Sequence, residues 1–138
     1  VKPFLSHAGR WVILLGLTSN AGSADFQHYG DHPLFTSVIR KAMEWGTPEN
    51  MMIVAGATRG EDLAQVRAAA GSAFLLVPGV GAQGGSLQDV VQHAFIHDEV
   101  GLLVNSSRGI IYAGDGADFG VAAKEAASDL AMQMAQYL

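Results

Sequence analysis

Short apolar stretches recur along the chain, and each is followed by a loop and then by a segment with helical spacing. Four such stretches occupy residues 11–15, 51–55, 74–77 and 102–105. They are almost continuously apolar and lack the alternation of a strand that has one face in water. Such runs are typical of strands covered on both faces, as in a parallel sheet. The pattern therefore predicts four buried strands.

The segments that follow these strands show the periodicity of helices. They cover residues 33–45, 61–70, 86–95 and 118–137. Ser86 precedes the third of them, and Asp89 lies three residues further on, an approximate capping box that predicts Ser86 as an N-cap. Asp118 is a plausible cap for the last helix. The expected buried stripe of that helix is Phe119, Ala122, Ala126, Leu130 and Met134.

Repeated strand–loop–helix units with short returns predict an α/β fold with parallel strands and right-handed crossovers. The fold is then either an open doubly wound sheet or part of a (βα)₈ TIM barrel. A complete barrel typically needs about 250 residues, whereas this chain has 138. The barrel interpretation therefore makes the chain a half-barrel. No linker interrupts the pattern, so residues 1–138 are expected to form one domain or one contiguous piece.

Composition narrows the classes of partner. Hydrophobic residues make up 49% of the chain and charged residues 15%, which indicates a core-rich globular protein. The net charge of −5 argues against binding to nucleic acid, whose partners carry basic surfaces. The apolar runs are too short to span a bilayer, no signal peptide is evident, and cysteine is absent. We therefore expect a cytoplasmic protein without a nucleic-acid or membrane partner.

The strongest local signal is the glycine-rich segment PGVGAQGG at residues 78–85, between a strand and a helix. Its glycines let backbone N–H groups converge on one point, and the next helix adds its positive N-terminal end. This combination predicts a site for an oxyanion, most often phosphate. A dinucleotide fingerprint is not supported, because no acidic residue closes a second strand about twenty residues later. A tight turn without a ligand is the simpler alternative.

A second oxyanion element follows the next strand, in residues 105–110. Arg108 can bind phosphate oxygens with two parallel hydrogen bonds, and Gly109 can offer an N–H at the start of a short helix. Barrel enzymes commonly build phosphate sites from the loops after strands seven and eight. The two loops together predict such a site, although Arg108 alone could be a surface arginine. Arg40, Arg59 and Arg67 are expected to be solvated on or beside helices.

These blocks resemble a known enzyme family. PGVGAQGG (78–85), NSSRGIIYA (105–113), LTSNAGSADFQ (17–27) and VKPFLS (1–6) are similar, in order and spacing, to segments of orotidine 5′-phosphate decarboxylases, in particular the longer bacterial subfamily. The resemblance covers essentially this whole chain but about half of a family member. It implies strands five to eight of the barrel, the C-terminal half.

The resemblance also implies an activity and a set of site residues. The activity is decarboxylation of orotidine 5′-monophosphate (OMP) to uridine 5′-monophosphate (UMP) in pyrimidine biosynthesis, without a metal or cofactor. Gln83 would cover the phosphate from a mobile loop, Arg108 would hold it from below, and Ser19 would contact the pyrimidine. Pro78 would form part of an apolar wall near the reacting carbon. The complete set of substrate- and phosphate-binding candidates is Ser19, Pro78, Gly79, Gln83, Gly84, Arg108 and Gly109.

The catalytic part of the family pattern is missing. The family reaction depends on an alternating lysine–aspartate array on the second and third strands, and the only lysines here are Lys2, Lys41 and Lys124. No catalytic residue is therefore expected in this chain, and the chain alone is expected to be inactive. Two alternatives stay open: another phosphosugar-binding barrel of the aldolase or epimerase type, and a non-catalytic phosphate-binding half-barrel module.

Two further expectations concern partners and metals. A half-barrel exposes unpaired edges and an apolar face, which predicts a homodimer or pairing with the missing N-terminal half. His28 and His32 lie four residues apart, but Gly30 separates them and no third ligand is evident, so no metal site is expected.

Overall fold

A computed structural model describes residues 1–56, 59–81, 85–97 and 99–138 of the chain. Its strands are β1 (Val12–Leu17), β2 (Met51–Ala55), β3 (Phe74–Pro78) and β4 (Leu102–Asn105). The predicted strands are therefore confirmed with shifts of at most two residues at their ends. The apolar runs form these strands because branched and aromatic side chains pack well on a pleated surface.

The helices follow the predicted order. They are α1 (Lys2–Leu5), α2 (Ser23–Phe26), α3 (Leu34–Met43), α4 (Gly60–Ala70), α5 (Leu87–Ala94), α6 (Ser107–Ile111) and α7 (Phe119–Ala135). The predicted cap of α5 is confirmed, because the Ser86 hydroxyl accepts a hydrogen bond from the Asp89 N–H at 3.2 Å. Asp118 occupies the cap position of α7 but makes no capping bond with its side chain.

The sheet is parallel throughout, with the strand order β1-β2-β3-β4. Each crossover returns the chain to the next strand along the sheet. A doubly wound sheet would reverse its strand order at a switch point, and this sheet does not. The order is therefore that of successive units of a barrel. All strands point the same way, so the loops that follow them meet at one edge.

One face of the sheet is covered by helices. Ile53 of β2 and Leu75 and Val77 of β3 are fully buried there. They pack in one cluster with fully buried residues of the helices, namely Phe35, Ile39, Leu63, Val66 and Val90. This cluster is the hydrophobic core, and it fixes the directions in which the strands enter their C-terminal loops.

The opposite face of the sheet is open. The register places Leu15, Val54, Leu76 and Leu103 in one row across the strands. At the two outer strands of this row, Leu15 is 60% exposed and Leu103 is 46% exposed. Rows of this kind form the packed layers inside a (βα)₈ barrel. The bare apolar face expected of a half-barrel is therefore confirmed.

Helix α7 departs from the expected burial. Phe119, predicted to be buried, is 63% exposed, whereas Leu130 and Met134 pack against the core as predicted. The core contacts of the predicted stripe thus come from the later turns of α7, at Leu130 and Met134. Across the part of the chain that the structure describes, no helix combines the length and apolarity needed to cross a bilayer.

Arg67 of α4 is not solvated, and the expectation for it was wrong. Its guanidinium donates hydrogen bonds of 2.7–2.8 Å to the carbonyl oxygens of Gly71, Ala73, Ala94 and Gly101. Removal from water lowers the pKa of Arg67 to about 10. These carbonyls precede β3 and β4 or end α4 and α5, so Arg67 ties the helices to the N-terminal edge of the sheet, opposite the candidate site.

Candidate functional site

The candidate residues gather at the C-terminal edge of the sheet. Ser19 follows β1, Pro78 ends β3 and Arg108 follows β4. Because β3 and β4 are hydrogen-bonded neighbours, the glycine-rich loop and the Arg108 turn lie side by side. Ser19 lies two strands away from β3, a separation of about 10 Å at the usual strand spacing. A ligand that reaches from one group to the other must be extended.

The loop after β3 closes on itself through its backbone. The N–H of Gly81 donates to the carbonyl of Gly85 at 2.9 Å, and the N–H of Gly85 donates to the carbonyl of Gly79 at 3.3 Å. Gly79 and Gly81 have φ angles of 96° and 79°, in the region that favours glycine. Gln83 and Gly84 lie outside the described residues, so their roles stay predictions.

The turn after β4 presents Arg108 and Gly109 in the short helix α6. Both residues are exposed, and within the described ranges the Arg108 side chain has no hydrogen-bond or ion-pair partner. Arg108 thus differs from Arg67, whose guanidinium donates four hydrogen bonds to backbone carbonyls. A Cβ atom at Gly109 would lie 2.7 Å from the Ser106 hydroxyl oxygen, so a side chain there would require that hydroxyl to move.

Two residues that the sequence reasoning missed shape the loop that carries Ser19. The Gln27 side chain accepts a hydrogen bond from the Thr18 N–H at 3.0 Å and donates one to the Thr18 hydroxyl at 2.9 Å. Gly56, at the end of β2, would place a Cβ only 2.9 Å from the Ser19 Cβ. Gln27 is the last residue of the block LTSNAGSADFQ, and its place in that block is the sequence signal that could have identified it. The residues around Gly56 in the sequence give no sign that Gly56 lies against Ser19.

A small polar pocket of about 100 Å³ lies beside Ser19 and is also lined by Asn20, His28, Arg59 and Asp62. Nδ1 of His28 lies 3.8 Å from a carboxylate oxygen of Asp62, which is almost completely buried. His28 therefore joins its loop to α4. No group of three potential metal ligands is found among the residues that the structure describes.

The lysines lie away from this edge. Lys41 forms an exposed ion pair with Glu44 on α3, at 2.6 Å. Lys2 is on α1 and Lys124 is on α7, both exposed. The described part of the edge thus carries arginines, Arg108 after β4 and Arg59 in the pocket beside Ser19, and no lysine–aspartate array.

A cavity of about 300 Å³ lies between the two loops and α7. Val80, Gly85, Ser106 and Gly109 form one wall, and the Asp129 carboxylate is part of the other. A carboxylate disfavours a bound anion by charge repulsion. We therefore assign the candidate phosphate position to the exposed side of the loops, where Arg108 lies, and not to this cavity.

The fold and its strand order define the class: the chain forms four units of a (βα)₈ barrel. Solved structures agree. The chain is similar to UMP synthase of Leishmania donovani, with a TM-score of 0.77 and 40% identity, over 93% of this chain and 29% of that one. It is also similar to OMP decarboxylase of Leishmania donovani, with a TM-score of 0.74 and 37% identity, over 90% of this chain and 48% of that one.

Curated relatives give the family. Orotidine 5′-phosphate decarboxylase of Bacteroides fragilis is 50% identical over 141 aligned positions, covering 100% of this chain and 51% of the relative. The enzyme of Parabacteroides distasonis is 52% identical, covering 100% and 50%. No protein-family profile matches the chain. The chain spans about half the length of the curated relatives it matches, and over that length it is homologous to orotidine 5′-phosphate decarboxylases, which confirms the resemblance.

Proposed function

We propose that this chain supplies the phosphate- and pyrimidine-binding side of an enzyme that decarboxylates OMP to UMP in pyrimidine biosynthesis. The observation that carries the proposal is the pairing of β3 with β4, which brings a glycine-rich loop next to the exposed cation Arg108. The family relationship supports the same substrate, a phosphorylated nucleotide. The substrate phosphate would lie between Arg108, the backbone N–H of Gly109 and the glycine-rich loop that begins at Gly79.

The other candidates extend this site along the substrate. Ser19 would contact the pyrimidine from the loop after β1, about 10 Å from β3 at ordinary strand spacing. Pro78 would form an apolar wall beside the reacting carbon, and Gln83 and Gly84 would close over the phosphate. An extended molecule with an anion at one end and a polar ring at the other suits this spacing.

The acid–base chemistry would come from outside these residues. We propose that residues 1–138 form the C-terminal half of the barrel and that the lysine–aspartate array lies in the other half. The open face, with Leu15 60% exposed and Leu103 46% exposed, supports association with four further strands, either from an N-terminal half or from a second copy. A metabolic enzyme of this type would act in the cytoplasm.

Assembly of a complete barrel tests the proposal. The N-terminal half of the Bacteroides fragilis relative, which this chain does not cover, is joined ahead of Val1 to give a protein called here the joined barrel. Decarboxylation of OMP is followed by the change in pyrimidine absorbance. We expect turnover by the joined barrel and none by either half alone. A folded joined barrel that binds OMP without turnover would contradict the proposal, and one that turns over a different sugar phosphate would favour an aldolase or epimerase.

A further inference from the structure

Ser106 connects the two loops of the candidate phosphate site. It lies between β4 and α6, and its half-buried hydroxyl donates a hydrogen bond to the carbonyl oxygen of Val80 at 3.0 Å. Val80 is 26 residues earlier in the chain, inside the glycine-rich loop. The N–H of Gly79 donates to the carbonyl of Asn105 at 3.3 Å, which is a second link beside it.

The Ser106 hydroxyl also fills the space between the glycines of both loops. A Cβ atom placed on Gly109 would lie 2.7 Å from the Ser106 Oγ, and one placed on Gly81 would lie 3.8 Å from it. The hydroxyl is therefore in close contact with the backbone of the Arg108 turn and within van der Waals reach of the glycine loop. Among the described residues of the glycine loop, the other backbone bonds join Gly81 to Gly85 and Gly85 to Gly79.

We propose that Ser106 is a positioning residue that fixes the glycine-rich loop against the Arg108 turn, so that the loop and the guanidinium face one anion together. The part of this inference that concerns the anion rests on the proposed function. Glycines at positive φ lose more conformational freedom on ordering than other residues do. A side-chain bond that orders the loop before the ligand arrives lowers the cost of binding.

The neighbouring serine provides a matched control. The Ser107 hydroxyl bonds to the Asn105 side-chain oxygen at 3.0 Å, within its own turn, and does not reach the glycine loop. Ser106→Ala and Ser107→Ala remove the same atom from adjacent positions, and the first removes the side-chain bond to Val80 while the Gly79–Asn105 backbone bond remains. Ser106→Cys keeps nearly the same shape with a weaker donor, and it takes the place of the alanine variant if that chain does not fold.

Amide hydrogen exchange of the 138-residue chain, resolved by NMR, tests the link without any ligand. We expect Ser106→Ala to speed exchange at Gly81 and Gly85 by ~5-fold or more while the strands keep their protection. Ser107→Ala should leave these amides unchanged. Unchanged exchange at both glycines in Ser106→Ala would overturn the inference. Equal acceleration in loops and strands would also overturn it, because Ser106 would then support the fold as a whole.

Titration with inorganic phosphate and with UMP, followed through the same glycine amides, tests the consequence for binding. We expect Ser106→Ala to weaken both ligands about 5- to 10-fold, the range of a lost neutral hydrogen bond, and Ser107→Ala to change affinity less than twofold. Equal affinities in the two variants would overturn the proposed effect on the anion. A wild-type chain that binds neither ligand, with exchange still sensitive to Ser106, would leave the link in place and contradict the proposed function.

Discussion

The two faces of the sheet differ in how completely they are covered. On the helix side, Leu75 and Val77 of β3 are fully buried. On the other side, Leu15 at one outer strand is 60% exposed, and Leu103 at the opposite outer strand is 46% exposed. The side chains are equally apolar on both faces, so composition does not explain the difference. An apolar row left in water on one face indicates a surface that is built to be covered.

Burial of both faces in a complete barrel explains why the strands are apolar without alternation. A strand with one wet face alternates apolar and polar side chains, whereas a strand inside a parallel barrel does not. Residues of β1 facing the helices, such as Leu14, and those facing the open side, such as Ile13, are all apolar. The strand sequence therefore has the apolar pattern of a strand inside a complete barrel, although the chain spans about half the length of its relatives.

Truncation of one leucine on each face gives the largest expected difference in stability. Leu75→Ala should lower the free energy of unfolding by about 3 kcal/mol, because it opens a cavity in a packed core. Leu15→Ala should cost less than about 0.5 kcal/mol in the isolated chain, since its side chain already contacts water. Urea unfolding of both variants measures the two values, and equal costs would show that the open face is packed in solution.

In the joined barrel, the costs of Leu15→Ala and Leu75→Ala in unfolding free energy should become similar. Covered by the strands of the other half, Leu15 becomes a core residue, and Leu15→Ala should then cost about 2 kcal/mol. Leu75→Ala should cost about the same as before and serves as the internal reference. If Leu15→Ala stays neutral in the joined barrel, the open face is not the interior of a barrel.

Arg67 joins helices α4 and α5 to the N-terminal edge of the sheet. Arg67→Ala should lower the free energy of unfolding by about 2 kcal/mol, because it removes hydrogen bonds to the partly buried carbonyl oxygens of Ala73, Ala94 and Gly101. Arg67→Lys should recover only part of this, since an ammonium cannot reach the same carbonyls at once. Arg40→Ala, on the exposed side of α3, is the control and should change stability by less than about 0.5 kcal/mol. A similar loss for Arg40 and Arg67 would refute this role.

Much of the fold could be predicted from the sequence because its signals are local. Continuous apolar runs gave the strands, and three- to four-residue spacing gave the helices. Ser86 could be recognised as a cap from Asp89 alone. The order of the loops, with a glycine-rich segment before an arginine, could be predicted because parallel strands bring successive loops to one edge.

The rest depended on contacts between distant parts of the chain. Arg67 bonds to carbonyls 27 and 34 residues away, and helical spacing alone gives no sign of those partners. Ser106 bonds to a residue 26 positions earlier for the same reason. Phe119 was expected in the core because it continues the apolar stripe of α7, yet it is 63% exposed, and periodicity alone does not show which turns of a helix meet the core.

The cap of α5 gives the smallest expected effect on the covered face. Ser86→Ala removes the acceptor for the Asp89 N–H and should lower the free energy of unfolding by about 1 kcal/mol. Ser86→Asp should retain most of the stability, since its carboxylate can accept the same bond. Thermal unfolding of the isolated chain measures both variants. Equal losses for alanine and aspartate would show that the cap does not stabilise α5.

The role of Arg108 tests the central claim most directly. In the joined barrel, kcat/KM is measured for OMP and for orotidine, the nucleoside without phosphate, in Arg108→Ala, Arg108→Lys and the control Arg40→Ala. We expect Arg108→Ala to lose at least ~10-fold toward OMP, because a charge-assisted hydrogen bond to phosphate contributes roughly 1.5–3 kcal/mol. It should lose little toward orotidine, Arg108→Lys should recover part of the loss, and Arg40→Ala should match the wild type. Equal losses toward OMP and orotidine would contradict the account, because Arg108 would then support the fold and not the phosphate.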